Sequence, residues 1–312
     1  MESARLGPAI RRALLRGEPV VALESALITH GFSHPANLQI AQRMESTIRE
    51  EGAHPATIAV IDGEAHVGLA RDELLRLASP RRPDVPSADR LQRLSLRDLP
   101  IAMAQGATGG TTVAATIHLA QHVGIGVMAT GGIGGVHRGA SGDISADLTA
   151  LGEIPITVVS SGAKAILDLR RTREVLETKG IPVVGYRTSS FPAFYSRSSD
   201  LSVDVAVDAP EEVAAIACAM RELGLSAALL VCVPVPREAA LPVEQVEGAV
   251  ARAVEEAAAE EVDGREVTPF LLARVVELTG GESRRANEAL LVNNARVAAR
   301  IARAMAERKG DA

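Results

Sequence analysis

Between Ile125 and Thr149 the chain runs from a short apolar stretch, Ile125-Gly-Val-Met128, into six glycines between Gly131 and Gly142, and then to two carboxylates, Asp143 and Asp147. That succession predicts a strand whose end opens into a loop. Glycine gives up the most backbone freedom on ordering, so a run this rich in it is expected where backbone must approach a ligand closely. A flexible surface loop is the plainer alternative. If Asp143-Ile-Ser-Ala-Asp147 is helical, both carboxylates share one face with Ser145 between them, at a helix start that favours anions. Like charges that close call for a cation, a bound proton or hydrogen-bond donors. Asp143 and Asp147 are therefore candidates for a hard metal ligand and an acid/base group, with solvated helix caps as the other reading.

What surrounds this stretch must be built without aromatic bulk. Apolar residues make up 47% of the 312, but aromatics only 2%, and tryptophan is absent. A core of Ala, Val, Leu and Ile suits an α/β protein with parallel strands. The net charge of -6, with 33 basic residues, offers no cationic field and argues against a nucleic-acid partner. Cys218 and Cys232 have no disulfide or zinc-site spacing and are expected reduced and buried. With no signal-peptide pattern and no apolar run long enough to span a bilayer, the expectation is a soluble cytoplasmic protein without a membrane partner. No composition break or internal repeat divides it, so residues 1–312 are expected to form one domain.

Strand and helix signals alternate along the chain. A helix over Pro8 to Arg16 precedes a first strand, Pro19 to Leu23, which ends at Glu24. A carboxylate at the C-terminal edge of a strand stands where open α/β sheets bind ligands. Among apolar neighbours it is a candidate general acid or base, or simply a helix-start carboxylate. Thr29 to Pro35 reads as a turn, and Asn37 to Glu51 as an amphipathic helix. Two short strands flank Asp62-Gly63, a hairpin signal, before a helix over Arg71 to Ala78. Ser79 to Ser95 reads as a loop or lid. Arg93 and Arg97, just before the strand-like apolar run Leu99 to Met103, are candidate clamps for an anionic group or merely solvated.

Two glycine-rich segments fail the familiar nucleotide patterns. Gly106 to Thr112 lacks the lysine of a Walker A loop, though it opens into a helix from Thr112 to Gln121 whose free N–H groups suit an anion. Gly132-Ile-Gly-Gly-Val-His137 has histidine where the dinucleotide fingerprint requires glycine, which argues against a nicotinamide or flavin enzyme. His137 and Arg138 either contact a ligand or hold the loop. After the strand Ile154 to Val159, Lys164 is expected at the junction with a helix over Ile166 to Lys179. A semi-buried amine there is a candidate nucleophile toward an aldehyde-like carbon, against the plainer reading of a solvated lysine. A strand over Ile181 to Gly185 follows. Phe191 to Ser199 then holds three of the six aromatics, a sign of a pocket wall or a subunit contact. Beyond Asp200 come helices over Pro210 to Leu223, Pro242 to Glu261, Pro269 to Glu277 and Glu282 to Arg308, and a strand over Ala227 to Val233. The last helix shows Leu290, Asn294, Val297 and Ile301 at helical spacing.

Taken together, Ala22-Leu-Glu-Ser25, Thr112-Val-Ala-Ala-Thr116, the segment Thr130 to Gly139, Asp143-Ile-Ser-Ala-Asp147, Ser161-Gly-Ala-Lys164, Phe191 to Arg197 and Asn293-Asn-Ala295 resemble the pseudouridine-5'-phosphate glycosidase family, over roughly residues 8 to 305. The resemblance implies an α/β fold with three α/β/α layers around a largely parallel or mixed sheet, and a homotrimer. It also implies dependence on one divalent ion per subunit, manganese with magnesium as the alternative. The implied reaction is reversible cleavage of the C–C glycosidic bond of pseudouridine 5'-phosphate to uracil and ribose 5-phosphate. Lys164 then resembles the nucleophile that forms an imine with C1', Glu24 the proton donor and Asp143 the metal ligand. Val113, Ser145, Ala146 and Asp147 resemble substrate contacts, with Asp147 also in the catalytic set. Arg93, His137 and Asn287 complete the expected substrate site. A nitrogen nucleophile is sensible chemistry, because a C–C glycosidic bond has no leaving oxygen to protonate. The other readings are a glycosidase of another C- or N-ribosyl compound and a non-catalytic sugar-phosphate-binding relative. Arg93 and Ala107 stand where the family usually has lysine, Leu96 where a second basic residue is common, and Arg284 where leucine is usual.

Overall fold

The computed structural model describes residues 4–79, 91–138, 142–262 and 267–310. Its elements in chain order are β1 (Ala4–Leu6), α1 (Pro8–Leu15), β2 (Val20–Leu23), α2 (Ala36–Glu50), β3 (His54–Ile61), β4 (Glu64–Val67), α3 (Arg71–Ala78), β5 (Gln92–Leu94), α4 (Leu99–Ala104), β6 (Gly109–Thr111), α5 (Val113–His122), β7 (Val127–Ala129), β8 (Val136–His137), α6 (Ala146–Glu153), β9 (Thr157–Ser160), β10 (Leu167–Asp168), α7 (Leu169–Thr178), β11 (Val183–Tyr186), β12 (Val205–Val207), α8 (Pro210–Glu222), β13 (Leu229–Cys232), α9 (Val243–Ala259), α10 (Val267–Leu278) and α11 (Glu282–Gly310).

Strands β2, β7, β9, β11 and β13 are buried at every position, as their unbroken apolar runs require when helices cover both faces. With β3 and β12 at the flanks they form the parallel part of the sheet, in the order β3-β2-β7-β9-β13-β11-β12. The Asp62-Gly63 turn folds β4 back on β3, antiparallel, and β6 also runs antiparallel to β3. With β1 beside β4 and β5 beside β6, the sheet is mixed and eleven-stranded. A separate two-stranded ribbon pairs β8 with β10.

Helices complete a three-layer α/β/α arrangement. The long α11 packs on α2 and α8 and lies against β2, β7 and β9, while α5, α6 and α7 pack in succession. The expected stripe holds, since Leu290, Asn294, Val297 and Ile301 are all buried. An apolar side chain such as Leu290 or Ile301, buried in this way, contributes about 1.5–3 kcal/mol. Asn294 is the polar exception on this face. Among the described residues no helix is long and apolar enough to cross a membrane.

Several local expectations are corrected. The segment read as a turn, Thr29 to Pro35, is overlapped by a π-helical turn, Leu27–Gly31, where Phe32 N–H donates to Leu27 O at 3.2 Å. The Asn37 side chain donates to Ile28 O at 2.9 Å, taking up a carbonyl of that turn. Leu99 to Met103 is not a strand but the start of α4. Pro100, in its first turn, pre-sets a helical φ there and would remove a ladder donor from a strand. Helix α7 begins only at Leu169, because Asp168 caps it by accepting from Arg171 N–H at 2.9 Å. Lys164 is thus in a turn before β10 and not at a helix start. The short strands β1, β6 and β12 carry no apolar alternation that the sequence could reveal. Cys232 is buried as expected, but Cys218 is only half-buried. Residues 80–90 of the expected loop and Gly139 of the glycine segment lie outside the described residues.

Candidate active site

The parallel strands end together, and their C-terminal ends frame a cavity of about 680 Å³. Glu24 follows β2, Thr130 and Gly131 follow β7, and Lys164 stands in the loop after β9; all line it. Arg93 reaches it from β5 and Asn287 from α11. Phe194 and Tyr195 line it as well, packed edge-to-face with ring centroids 4.7 Å apart. The aromatic segment therefore supplies a pocket wall.

Loop pairing brings the chemistry together. Thr130 N–H donates to Val159 O at 3.0 Å and Ser161 N–H to Gly131 O at 2.8 Å. Ile133 N–H then donates to Gly162 O at 3.0 Å, and Lys164 N–H to Ile133 O at 3.1 Å. The glycine loop and the lysine loop are thus zipped along their backbones. Behind them the buried Asn294 side chain donates to Thr130 O at 2.9 Å and to Ser161 Oγ at 3.1 Å.

Glu24 is only 7% exposed. Burial pushes its carboxyl above the ordinary glutamate range; the Lys164 charge, a hydrogen bond from Thr130 and the Arg93 charge pull the other way, and the Asp147 charge adds to the rise. The Thr130 hydroxyl donates to Glu24 Oε1 at 2.5 Å. The next residue is pinned too, since Ser25 Oγ accepts from Thr111 N–H at 3.0 Å. A buried carboxyl whose ionised form is disfavoured holds its proton to higher pH than an exposed one, which suits it to an acid/base role.

Asp143 and Asp147 do not share a helical face. Asp143 precedes α6, its carbonyl accepting from His137 N–H at 2.9 Å, and Ile144 bridges to Val136. Ser145 is the N-cap of α6, its Oγ accepting from Asp147 N–H at 3.2 Å. Asp147 itself is buried and accepts from Ala114 N–H and Gly134 N–H, each at 2.9 Å. Two backbone donors thus meet that carboxylate. A Cβ on Gly134 would sit 2.1 Å from Ser145 Oγ and 2.8 Å from Asp147 Oδ2, so the close approach requires glycine there.

Of the expected site residues, Glu24, Lys164, Arg93 and Asn287 line the cavity; Asp147, Asp143, Val113, Ser145, Ala146 and His137 stand outside its lining. Asp147 remains within electrostatic reach of Glu24. Arg138 holds its loop, with Nη2 donating to Ala165 O at 3.2 Å and a bidentate pairing to Glu247. Arg97 is largely exposed beside Asp98. Asp143 has a side chain 60% exposed, 3.7 Å from His137 Nε2. Among the described residues no three His, Cys, Asp or Glu side chains cluster to cage a metal. An exposed carboxylate with room for water fits a hard divalent ion that keeps most of its hydration shell.

Sequence reasoning missed Thr130 as the partner of Glu24, and missed His30 and Leu272, which line the cavity. Thr130 directly precedes the glycine loop at a strand end, a position that could have drawn notice. Leu272 on α10 carried no such signal.

The chain's similarities point one way. A family profile described as indigoidine synthase A like protein matches residues 9–304. The pseudouridine-5'-phosphate glycosidase of Paracoccus denitrificans is 52% identical over 303 residues, covering 96% of this chain and 98% of its own. Pseudouridine-5'-phosphate glycosidase 2 of Rhizobium johnstonii is 49% identical over 307 residues, covering 98% and 97%. Among solved structures, a prealnumycin C-glycosynthase in complex with ribulose 5-phosphate matches with a TM-score of 0.90 at 36% identity, over 100% of both chains. An indigoidine synthase A-like protein of Thermotoga maritima matches with a TM-score of 0.83 at 38% identity, over 92% of this chain and 93% of that one.

Proposed function

This chain belongs to the pseudouridine-5'-phosphate glycosidase family, and on that premise we propose that it cleaves the C–C glycosidic bond of pseudouridine 5'-phosphate, reversibly, to uracil and ribose 5-phosphate. The observation that carries the reading is the meeting of Glu24 and Lys164 in one cavity, from the ends of β2 and β9. The Lys164 amine, once it has given up its ammonium proton, bonds to C1' as the C1'–O4' bond breaks, and the proton that the attacking nitrogen then sheds passes to O4'. Expulsion of the base then moves the C1'–C5 electron pair onto uracil, which takes a proton from Glu24, while the nitrogen lone pair completes the imine. Water hydrolyses the imine and frees ribose 5-phosphate and the amine.

Arg93 offers a forked cation for an anionic group of the substrate. Asn287 gives an amide that can donate to and accept from the base or the sugar. Asp147, fixed by two N–H donors, holds the start of α5 against the glycine loop and adds negative charge near Glu24. Asp143 is the residue that would hold manganese or magnesium, with water completing the shell; the ion would supply positive charge for an anionic substrate. Val113, Ser145, Ala146 and His137 belong to the same reading as substrate contacts, although they stand outside the lining of the cavity that holds Glu24 and Lys164. A homotrimer in the cytoplasm, with residues 1–312 as one domain, is part of the proposal. Likeness to a C-glycosynthase favours the bond-forming direction as well.

The test is uracil release from pseudouridine 5'-phosphate with Mn²⁺ present, against a panel of phosphorylated and unphosphorylated nucleosides. Preference for an unphosphorylated nucleoside would overturn the substrate assignment.

A further inference from the structure

Resting on that reading, we propose that Thr130 is the positioning residue of the proton donor: its hydroxyl occupies Oε1 of Glu24, so that Oε2 carries the proton delivered to the leaving base, and Asn294 holds Thr130 in register with the loop bearing Lys164. Among the described residues Thr130 is the side chain that hydrogen-bonds Glu24. A hydroxyl has one proton to donate, and a neutral carboxyl carries one. With Oε1 accepting from Thr130, the carboxyl proton belongs on the other oxygen. The threonine therefore selects which oxygen is the acid, a selection that a freely rotating buried glutamate would lack.

Thr130 is itself immobile. It is fully buried, its N–H is held by Val159 O at 3.0 Å and its C=O by Asn294 Nδ2 at 2.9 Å. The same Asn294 amide reaches Gly131 O at 3.4 Å and Ser161 Oγ at 3.1 Å. Ser161 lies three residues before Lys164. One buried amide on α11 thus ties the loop that orients the acid to the loop that carries the nucleophile. This gives Asn294 a reason to stand on an otherwise apolar helix face, where an unpaired buried amide would be destabilising.

The groups charged around Glu24 are Lys164 in the lysine loop, Asp147 on α6 and Arg93 on β5. All three remain when Thr130 is changed. A hydrogen bond to the ionised carboxylate favours that form, so its removal makes Glu24 hold its proton to higher pH. Activity that needs protonated Glu24 disappears as pH rises through its pKa, and this alkaline limb should therefore move upward.

The experiment measures kcat and KM for pseudouridine 5'-phosphate across pH in the parent enzyme, Thr130→Val, Thr130→Ala and Thr130→Ser. Expected for Val and Ala are a fall in kcat of about tenfold or more, KM within about twofold and an alkaline limb shifted up by about one pH unit. Thr130→Ser should restore both the rate and the limb. Borohydride trapping of ribose 5-phosphate on Lys164 should persist in all variants, which shows that the site has folded. An unmoved limb in both Thr130→Val and Thr130→Ala, with uracil release by the parent, overturns the role of Thr130 alone. No uracil release by the parent at any pH overturns the glycosidase reading and this role with it.

Discussion

Lys164 donates its backbone N–H to the carbonyl of Ile133 at 3.1 Å, and that bond ends a series that fastens the lysine loop to the glycine loop. The position of Lys164 is thus set by backbone pairing between the ends of adjacent strands β7 and β9, independent of its own side chain. Lys164→Ala should leave the fold intact and lower uracil release by about 10³-fold or more. The chain has three lysines, so peptide mass analysis after borohydride trapping decides the matter. The sugar should map to Lys164, with Lys179 unlabelled; label elsewhere would show the mechanism to be wrong.

Glu24→Gln removes the transferable proton and keeps the shape. Turnover should fall by about 10²–10⁴, while trapping of ribose 5-phosphate on Lys164 continues. The same change should stabilise the fold at neutral pH. Because burial raises the Glu24 pKa in the folded state, the native protein binds more protons than the unfolded chain between the unfolded and folded pKa values. Stability therefore declines as pH rises through that window. Thermal melts should show a higher Tm for the Gln variant at pH 8 and a gap that closes below about pH 4, where both states are protonated. A gap of equal size at both pH values would contradict the buried-acid account.

Asp143 and Asp147 should respond differently to amidation. Asp143→Asn alters an exposed side chain and should leave Tm unchanged, but weaken Mn²⁺ binding by roughly ten- to a hundredfold in calorimetric titration. Asp147→Asn leaves the N–H of Ala114 or Gly134 facing an amide donor. It should destabilise by about 1–3 kcal/mol and slow turnover with Mn²⁺ affinity retained. Equal loss of metal affinity in both variants would end the division of roles.

Gly134→Ala tests the close packing of the glycine loop. The new Cβ would collide with Ser145 Oγ and Asp147 Oδ2, forcing α6 away from the loop at about 1–3 kcal/mol. Denaturant melts should show that loss. An unchanged midpoint would mean that the loop yields freely and that Asp147 is not held as described.

From the sequence alone, the apolar runs behind β2, β7, β9, β11 and β13, the stripes of α2 and α11 and the Asp62-Gly63 hairpin were all legible, because each depends on burial period or turn chemistry within a few residues. Glu24 and Lys164 were legible as chemistry on the same ground, each standing just beyond a strand. Tertiary structure alone decided how those ends meet. Thr130 becomes the partner of Glu24 only because β2 and β7 are neighbours in the sheet, and Asn294, more than 160 residues further along, joins them only through the packing of α11. It also separated Asp143 from Asp147, whose four-residue spacing suggested one helical face until the pairing of Ile144 with Val136 and the Ser145 cap delayed the helix start. Local periodicity reports which face of an element is buried; which loops share a cavity depends on strand order and long-range hydrogen bonds, and no window of neighbouring residues contains those.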